Sequence, residues 1–453
     1  MTRRPDKVHL VSLGCPKNTV DSERMLGLLD GNDYEITEDP EEADVVIVNT
    51  CGFIGPAKEE SIEAIMEAHE LREKGRCKGV IVTGCLAERY QSTLKEDLIE
   101  ADQILTLSQE KDIVRNVDEL LGNERAAYLS APRLTTTPSH WAYLRISDGC
   151  DHKCAFCAIP LIKGRHRSET IEDLVAEAKR LADGGVRELV LVAQDSVRYG
   201  ADLYGRPQLV PLLEQLAAVS GISWMRLMYT YPAFWTDEMI DFYADSKVMC
   251  NYIDMPLQHI SDPVLKRMRR ATTKAKTERL LDRLRDRLPN VGLRSSFIVG
   301  FPGETEAQFA ELLEFVEQTR FDNATCFIYS PEEGTEAHGL DGELPEHVKE
   351  ERYRQLTELQ DGISADINHG LVGTQQVVLV DALVNDEAGS GWSGRLQRDA
   401  PEIDGHVRIE AETDKPGVDI DSGVDLLVGK FAQVDIVGAY SYELAGRWTG
   451  TSW

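Results

Sequence analysis

The stretch DGCDHKCAFCAIP, residues 148–160, brings three thiols together at Cys150, Cys154 and Cys157. It follows the apolar run AYLRIS, which is typical of a buried β-strand. Offsets of four and three residues let the thiols converge on one face of a compact loop. Thiolates bind zinc or iron–sulfur clusters. A structural zinc site would need a fourth ligand, for which His152 is the nearby candidate, whereas three cysteines suit a cubane cluster with one open iron.

Five more strand-like runs follow this loop, and helical patterns such as 171–183 and 305–319 separate them. The runs are RELVLVA (187–193), ISWMRLM (222–228), CNYIDMP (250–256), GLRSSFIVG (292–300) and ATCFIYS (324–330). Six βα units in succession predict a whole or partial barrel. Its chemistry should lie at the C-terminal ends of the strands, where the cysteine loop is expected.

Three cysteines upstream share a different pattern. Cys15, Cys51 and Cys85 each follow a strand-like run, namely VHLVSL, DVVIVN and GVIVTG. Helical patterns at 21–29 and 57–73 separate these runs, so an open parallel α/β sheet is predicted. The C-terminal ends of parallel strands share one edge, which favours a second three-cysteine cluster there. The alternative is three small buried hydrophobic residues.

The remaining cysteines give no such pattern. Cys77 precedes its strand, at the opposite edge of the sheet, while Cys250 and Cys326 start or lie within barrel strands. We expect all three to be core residues.

The chain divides into an N-terminal domain (1–130), a linker rich in Pro, Thr and Ser (131–140), a central barrel (141–367) and a C-terminal domain (368–453). The last part lacks helical periodicity. Its strand-like runs are QQVVLVDALV (375–384), HVRIEAE (406–412) and KFAQVDIVGAYSYELAGRW (430–448). They predict a small all-β barrel.

The net charge of the chain limits the classes of macromolecule that it can bind. The chain has 453 residues, 49 basic and 78 acidic, and a net charge of −29, which argues against a surface that binds nucleic acid throughout. Residues 371–453 carry fourteen acidic and six basic side chains, a net charge of −8. The basic residues are Arg395, Arg398, Arg408, Lys415, Lys430 and Arg447. An acidic barrel suits a basic protein partner better than RNA.

The chain shows no apolar run of the ~18 residues that span a bilayer. Gly14 and Pro16 interrupt the short apolar stretch near the start, which argues against a signal peptide. We therefore expect a cytoplasmic protein with no membrane partner. In that compartment nine cysteines indicate metal binding or catalysis rather than disulfides.

The C-x3-C-x2-C spacing resembles the radical S-adenosylmethionine enzymes. With both cysteine sets considered, the whole chain resembles the methylthiotransferases, which combine a cluster domain, a radical barrel and a TRAM barrel. Three segments resemble the ribosomal-protein-modifying branch, RimO: SLGCPKN (12–18), DGCDHKCAFCAIP (148–160) and MPLQHISDPVLKRMRR (255–270). The sister branch, MiaB-like, modifies tRNA adenosine and differs around the first cysteine and after the Pro-Leu of the third segment.

The resemblance implies replacement of a Cβ–H bond by C–SCH3 on one aspartate of small-subunit ribosomal protein twelve. It implies two [4Fe–4S] clusters and two S-adenosylmethionine molecules. One molecule would methylate sulfur held at the Cys15, Cys51 and Cys85 cluster. The other would be cleaved at the Cys150, Cys154 and Cys157 cluster to begin hydrogen abstraction. Further implied partners are an electron donor, a sulfur donor and the ribosome, if the target is modified there, and we expect a monomer.

The resemblance also implies contacts to S-adenosylmethionine near the barrel mouth. Phe156 would place its backbone against the adenine. Gln194 and Asp195 end the second strand, where the wider family often has Gly-Gly-Glu, a departure that leaves turn or cap roles open. The other predicted contacts, for which a turn or cap is again the alternative, are Gln258, Ser261, Gly300, Gly303 and Glu304.

Iron content separates these interpretations from a protein without clusters. Anaerobically reconstituted chain should carry about eight irons if it holds two cubane clusters. A non-catalytic iron–sulfur scaffold would reach the same count but would release no 5′-deoxyadenosine from S-adenosylmethionine after reduction. Iron and deoxyadenosine assays on one sample therefore test both. A count near zero would contradict the cluster prediction.

Overall fold

The computed structural model of the chain describes residues 5–125, 127–386, 389–410 and 427–453. Lys415 and the end of the predicted run 406–412 lie outside the described residues. No helix in the described part is both long and apolar enough to cross a bilayer.

The N-terminal sheet is parallel and five-stranded, in the order β2-β1-β3-β4-β5. Strands β3 and β4 are buried along their whole length, because helices cover both faces of the sheet. The predicted helices at 21–29 and 57–73 lie inside α1 and α2. The elements are β1 (Lys7–Ser12), α1 (Pro16–Asp30), β2 (Glu35–Ile36), β3 (Val45–Thr50), α2 (Gly55–Lys74), β4 (Gly79–Gly84), α3 (Cys85–Asp97), β5 (Gln103–Ile104) and α4 (Ile113–Leu121).

The central domain is a partial barrel, which confirms the predicted fold class. Two three-stranded parallel sheets, β10-β9-β6 and β11-β12-β13, adjoin through a single bridge between Met225 and Met249. A short hairpin, β7 (Ser147–Asp148) with β8 (Arg167–Ser168), follows the first strand. The six barrel strands are β6 (Trp141–Arg145), β9 (Glu188–Val192), β10 (Trp224–Leu227), β11 (Tyr252–Asp254), β12 (Gly292–Val299) and β13 (Asn323–Ile328).

Helices surround the outside of these strands and bury one large apolar core against them. Their amphipathic faces explain the helical patterns predicted between the strands. The helices of the central domain are α5 (Ile159–Ile162), α6 (Ile171–Asp183), α7 (Ala201–Tyr204), α8 (Leu209–Ala217), α9 (Asp237–Asp245), α10 (Asp262–Arg267), α11 (Lys274–Arg287), α12 (Glu306–Thr319) and α13 (Glu346–His369). Of these, α5, α7 and α10 contribute no residue to that core.

The C-terminal domain is a closed five-stranded barrel, in the order β14-β15-β16-β18-β17. Its strands are β14 (Gln375–Asp386), β15 (Gly389–Arg395), β16 (His406–Glu410), β17 (Phe431–Ala439) and β18 (Glu443–Ser452). The sequence patterns miss β15, because GSGWSGR is rich in residues that weaken isolated strands. The run 430–448 is a hairpin of two strands rather than one.

The C-terminal barrel seals the inner face of the central strands with apolar and charged contacts. Glu188 on β9 is fully buried and accepts hydrogen bonds from Arg226 Nε (2.9 Å) and Arg395 Nη1 (2.7 Å). Arg395, on β15, also donates to both carboxylate oxygens of Asp381, at 2.8 and 2.9 Å. Aromatic contact continues the seal, since Trp224 meets Phe431 with ring centroids 4.9 Å apart. Buried charges this closely paired fix the orientation of one domain on the other.

Removing Arg395 should loosen this contact. Arg395→Met removes the bidentate partner of the Asp381 carboxylate. It also removes one of the two arginines that pair with buried Glu188. We expect a loss of roughly 3–5 kcal/mol, the usual result of breaking a buried ion pair. Urea unfolding followed by tryptophan fluorescence measures it. Arg354→Met, which breaks exposed pairs on α13, is the control and should change little. Equal transitions for both variants would contradict the prediction.

Candidate functional site

The three N-terminal cysteines lie at one edge of the sheet. Cys15 caps the start of α1 just after β1, Cys51 directly follows β3, and Cys85 begins α3 after β4. Since β1, β3 and β4 are adjacent and parallel, the predicted gathering of these residues at the C-terminal edge is observed. None of the nine cysteines forms a disulfide.

Asn18 joins the three cysteine loops. Its Nδ2 donates to the carbonyls of Leu13 (3.1 Å) and Thr50 (3.0 Å), and its Oδ1 lies 3.5 Å from Cys85 Sγ. One buried amide therefore contacts the loops after β1 and β3 and the thiol after β4. The spacing of the thiols is set by this side chain as well as by the strands.

Two glycines next to these cysteines have left-handed backbone that side chains rarely adopt. Gly14 has φ +92° and Gly84 has φ +93°. A Cβ at Gly84 would lie 2.3 Å from Asn49 Oδ1 and 2.4 Å from the Thr50 carbonyl. Residue 84 must be glycine for the Cys51 and Cys85 loops to approach this closely.

The second set lies on the loop after β7. Cys150 N donates to the Gly164 carbonyl (3.1 Å) and Cys157 N donates to the Cys154 carbonyl (3.1 Å). Gly149, at φ +74°, allows the close approach, because a Cβ there would lie 2.1 Å from the Arg165 carbonyl. The compact loop predicted from the spacing is therefore formed by backbone hydrogen bonds.

Burial controls the ionisation of these thiols. It raises the pKa of Cys150 to about 11 and that of Cys157 to about 12. Burial likewise raises the pKa of Cys51 and, more strongly, of Cys85. Burial thus favours the protonated form of these four thiols in the free chain, and binding a cationic centre would release their protons.

The donor set fits a cluster held at three corners. Within the described ranges, no three His, Cys, Asp or Glu side chains converge closely enough to hold a single metal ion. Thiols around an iron–sulfur cluster stand further apart, because the cluster occupies the space between them. The residues that would hold the two clusters are the six predicted cysteines.

The His152 side chain does not have the position that the zinc alternative would require of a fourth ligand. Its Nε2 lies 2.5 Å from Asp195 Oδ2, and its ring stacks on Tyr231 with centroids 4.1 Å apart. The backbone N of His152 donates to Cys150 Sγ at 3.4 Å. The imidazole thus stabilises the cysteine loop through its contacts with Asp195 and Tyr231.

One cysteine of the N-terminal set packs beside the end of the second cysteine loop at the domain interface. Cys85 packs in one apolar cluster with Ala158 and Ile162, and Ala158 is the residue after Cys157. Asp21 on α1 bonds Lys163 Nζ (2.8 Å) and Arg145 in the same interface. Burial alone would raise the pKa of Asp21, but Arg145 and Lys163 outweigh it and hold the pKa below its usual range.

A second ion cluster joins the cysteine helices to the barrel. Glu332, after β13, accepts hydrogen bonds from Lys58 on α2 (2.9 Å) and Arg89 on α3 (2.7 Å). Arg89 also donates to the Gly52 carbonyl (2.9 Å), beside Cys51. The loops of the N-terminal set are therefore fixed to the barrel mouth from two sides.

A cavity of about 740 Å³ adjoins this interface. Its lining includes Leu107 and Ile162, which pack against Cys85, but none of the six predicted ligands. Burial raises the pKa of Glu110, which lines it, to about 8. The cavity lies beside the cysteine sets rather than between them.

The predicted S-adenosylmethionine contacts at 194, 195, 258 and 261 lie at strand ends. Gln194 Nε2 donates to Asp148 Oδ1 (2.7 Å), and Asp195 is taken up by His152 as described. Gln258 has φ +74° and pairs with β12 through Ser296, while Ser261 caps α10. Their contact with the cofactor stays a prediction.

The residues predicted at 300–304 form a tight turn after β12. Glu304 is buried and accepts hydrogen bonds from the backbone N–H groups of Gly300 and Phe301. Gly303 has φ +77°, a backbone conformation that favours glycine, while the Arg267 guanidinium against it is flexible and could move aside. Phe156 packs beside Phe301 in a small apolar cluster. A cofactor role for these residues likewise stays a prediction.

Sequence reasoning did not single out Arg270. It donates to Cys154 Sγ (3.6 Å) and to the Pro256 carbonyl (2.5 Å), and its guanidinium lies 4.0 Å from the Tyr231 ring centroid. The one available signal was its position at the end of the segment 255–270. Arg270 therefore places a positive charge directly beside the middle cysteine of the loop.

Substituting Gly84 should damage the N-terminal set alone. Gly84→Ala forces a Cβ into Asn49 and Thr50, so we expect iron per reconstituted chain to fall from about eight to about four. Gly122→Ala is the matched control, because Gly122 also has positive φ (+66°) but open space around its Cβ position. The control should keep both clusters despite roughly 1–2 kcal/mol of backbone strain. Full iron content in Gly84→Ala would show that the clash is relieved.

Family models match each part of the chain. The radical SAM superfamily matches residues 144–316, an uncharacterized family, UPF0004, matches 7–106, and the TRAM domain matches 372–449. Among solved structures, the chain is similar to the radical S-adenosylmethionine methyltransferase TsrM from Kitasatospora setae, with cobalamin and a [4Fe–4S] cluster bound. The TM-score is 0.50 at 13% identity, with 74% of each chain covered, which shows a shared fold alone.

Curated relatives cover the chain almost completely. The ribosomal protein uS12 methylthiotransferase RimO of Desulforamulus reducens is 45% identical, over 97% of this chain and 99% of its own length. RimO of Geobacter sulfurreducens is 43% identical, with 99% of each covered, and RimO of Flavobacterium johnsoniae is 41% identical, with 98% of each covered. The chain therefore belongs to the RimO family of ribosomal protein uS12 methylthiotransferases.

Proposed function

We propose that this chain replaces a Cβ–H bond of an aspartate in ribosomal protein uS12 with a C–SCH3 bond. Family membership makes the chain a radical S-adenosylmethionine enzyme that uses [4Fe–4S] clusters. The observation that carries the proposal is the packing of Cys85 against Ala158, the residue after Cys157. Sulfur insertion at an unactivated carbon needs hydrogen abstraction and sulfur delivery at neighbouring places, and this contact brings the two cysteine sets together.

In the proposed assignment, Cys150, Cys154 and Cys157 hold the radical cluster, and Cys15, Cys51 and Cys85 hold the sulfur-bearing one. When bound, these groups and S-adenosylmethionine supply the radical, the sulfur and the methyl group. Acid–base catalysis alone would not suffice, because the β-carbon carries no acidic proton at neutral pH.

The protein's own residues orient and shield this chemistry. The contacts of Asn18 with two loop carbonyls and the Cys85 thiol preset the N-terminal thiols, so little reorganisation is needed on binding. The Cys150–Cys157 loop is held by Arg270 and by the stacked pair of His152 and Tyr231. The apolar contact of Cys85 with Ala158 and Ile162 excludes water from the junction, which protects a radical from unwanted hydrogen donors.

The acidic C-terminal barrel supports a basic protein substrate over tRNA. Three of its basic residues, Arg395, Arg398 and Arg408, are used in contacts inside the molecule. RNA phosphates would need an exposed basic face. Complementary charge would speed the encounter with uS12, which is the substrate named for the relatives.

The remaining partners belong to the same proposal. The reaction needs a reductant for the radical cluster and a donor that replaces the sulfur consumed in each turnover. We propose that the chain acts as a monomer in the cytoplasm, on uS12 either free or within the ribosome.

Single substitutions should separate the two cysteine sets. Cys154→Ala should abolish 5′-deoxyadenosine formation from reduced protein with S-adenosylmethionine. Cys85→Ala should keep deoxyadenosine formation but yield no methylthio adduct on uS12, because the sulfur-bearing site is lost. Cys77→Ala, a buried thiol of the same domain outside both sets, is the control and should retain both activities.

Mass spectrometry of uS12 decides the substrate. A methylthio adduct on one aspartate is expected after incubation with the intact chain. An unmodified uS12 together with a modified tRNA adenosine would instead support the sister activity.

For the cysteine variants, deoxyadenosine formation by Cys154→Ala would contradict the assignment of the radical cluster.

A further inference from the structure

Lys17 is a buried cation at the junction of the cysteine sets. It lies in the first turn of α1, two residues after Cys15, and only 7% of its surface is exposed. Its Nζ lies 3.4 Å from the ring centroid of Tyr229, which follows β10 at the barrel mouth. The side chain therefore reaches from the N-terminal domain to the edge where the barrel performs its chemistry.

No carboxylate among the described residues forms a salt bridge with Lys17, although Asp254 is near enough to attract it and Asp21 lies one turn further along the same helix. Asp254 accepts hydrogen bonds from Tyr229 N (2.8 Å) and Arg294 Nη1 (3.1 Å). Asp21 is held by Arg145 and Lys163. Lys17 is held by Tyr229, through its ring and a side-chain hydrogen bond, and by the more distant charge of Asp254. Since no salt bridge from the described residues neutralises the buried ammonium, a paired carboxylate would recover free energy. Such an arrangement is typical of a binding position for an anion.

The aromatic partner is itself held in an unfavourable conformation. Tyr229 has φ +60°, a left-handed value that is rare outside glycine, and the hydrogen bond from its N–H to Asp254 fixes it. Its carbonyl accepts a hydrogen bond from Ser196 N at 3.2 Å. Strain of this kind persists where surrounding contacts enforce it, and it is common at functional sites. It places the ring under the Lys17 ammonium.

We propose that Lys17 binds the side-chain carboxylate of the substrate aspartate. This inference rests on the proposed function. The β-carbon that gains sulfur is bonded directly to that carboxylate carbon, so a cation holding the carboxylate also fixes the reacting carbon. Because Lys17 follows Cys15 by two residues, the carbon would be held beside the sulfur-bearing site. An adenosine base has no carboxylate, so the same contact selects an aspartate over tRNA.

The test measures binding as well as turnover, with the reconstituted chain carrying both clusters. Recombinant uS12 is compared with a uS12 variant in which the modified aspartate, located by mass spectrometry, is changed to Asn. Lys17→Met keeps the aliphatic stem on Tyr229 and removes the charge, whereas Lys17→Arg keeps a charge. Lys74→Met, at an exposed lysine on α2, is the matched control.

The wild-type chain and Lys74→Met should bind uS12 more tightly than its Asn variant. Lys17→Met should lose about 10- to 100-fold in affinity for uS12, the usual effect of losing a charge-assisted hydrogen bond, and should no longer distinguish the two substrates. Lys17→Arg should keep much of the preference. Iron content should be unchanged in all variants, which excludes loss of either cluster.

Two results would overturn the inference. Lys17→Met could keep the wild-type preference for aspartate, or it could weaken both substrates equally, as a purely structural role would. Failure of the proposed function looks different, because the wild-type chain would then leave uS12 unmodified. In that case both proposals fall together.

Discussion

The contact between Cys85 and the helix that follows Cys157 is the constraint on which the rest of the molecule depends. It is short and apolar, formed by Ala158 and Ile162, and ion pairs hold it on two sides. Glu332 fixes α2 and α3 to the barrel mouth, and Asp21 fixes α1 to Arg145 and Lys163. The Arg89, Arg145 and Lys163 pairs are buried, so moving one domain would leave charges unpaired at a cost of several kcal/mol.

The C-terminal barrel also stabilises the central domain, because it covers the inner face of the partial barrel. In a closed barrel, side chains fill the interior, but the partial barrel here leaves its inner face open. Arg395 and Phe431 of the C-terminal domain complete that core against Glu188 and Trp224. The domain that presents the acidic surface is thereby fixed rigidly to the strands that carry the chemistry.

The fold class followed from patterns that are local in sequence. Alternation of β-branched runs with amphipathic segments predicted both α/β domains, and the order and spacing of Cys150, Cys154 and Cys157 predicted their loop. The sequence patterns failed to predict β15, because its Gly and Ser residues have low strand propensity. The closed barrel stabilises this strand through its neighbours β14 and β16. The ligand roles of the six cysteines, the cofactor contacts and the domain boundaries stay predictions.

The sequence by itself determined which thiols follow strands, because the C-terminal ends of parallel strands share an edge wherever the sheet forms. It also determined the charge of each part. Only the tertiary structure decided that Asn18 joins three loops, that Arg270 meets Cys154 and that Lys17 lies over Tyr229. These contacts join residues far apart in the chain, and their geometry depends on how the domains pack, which no local pattern encodes.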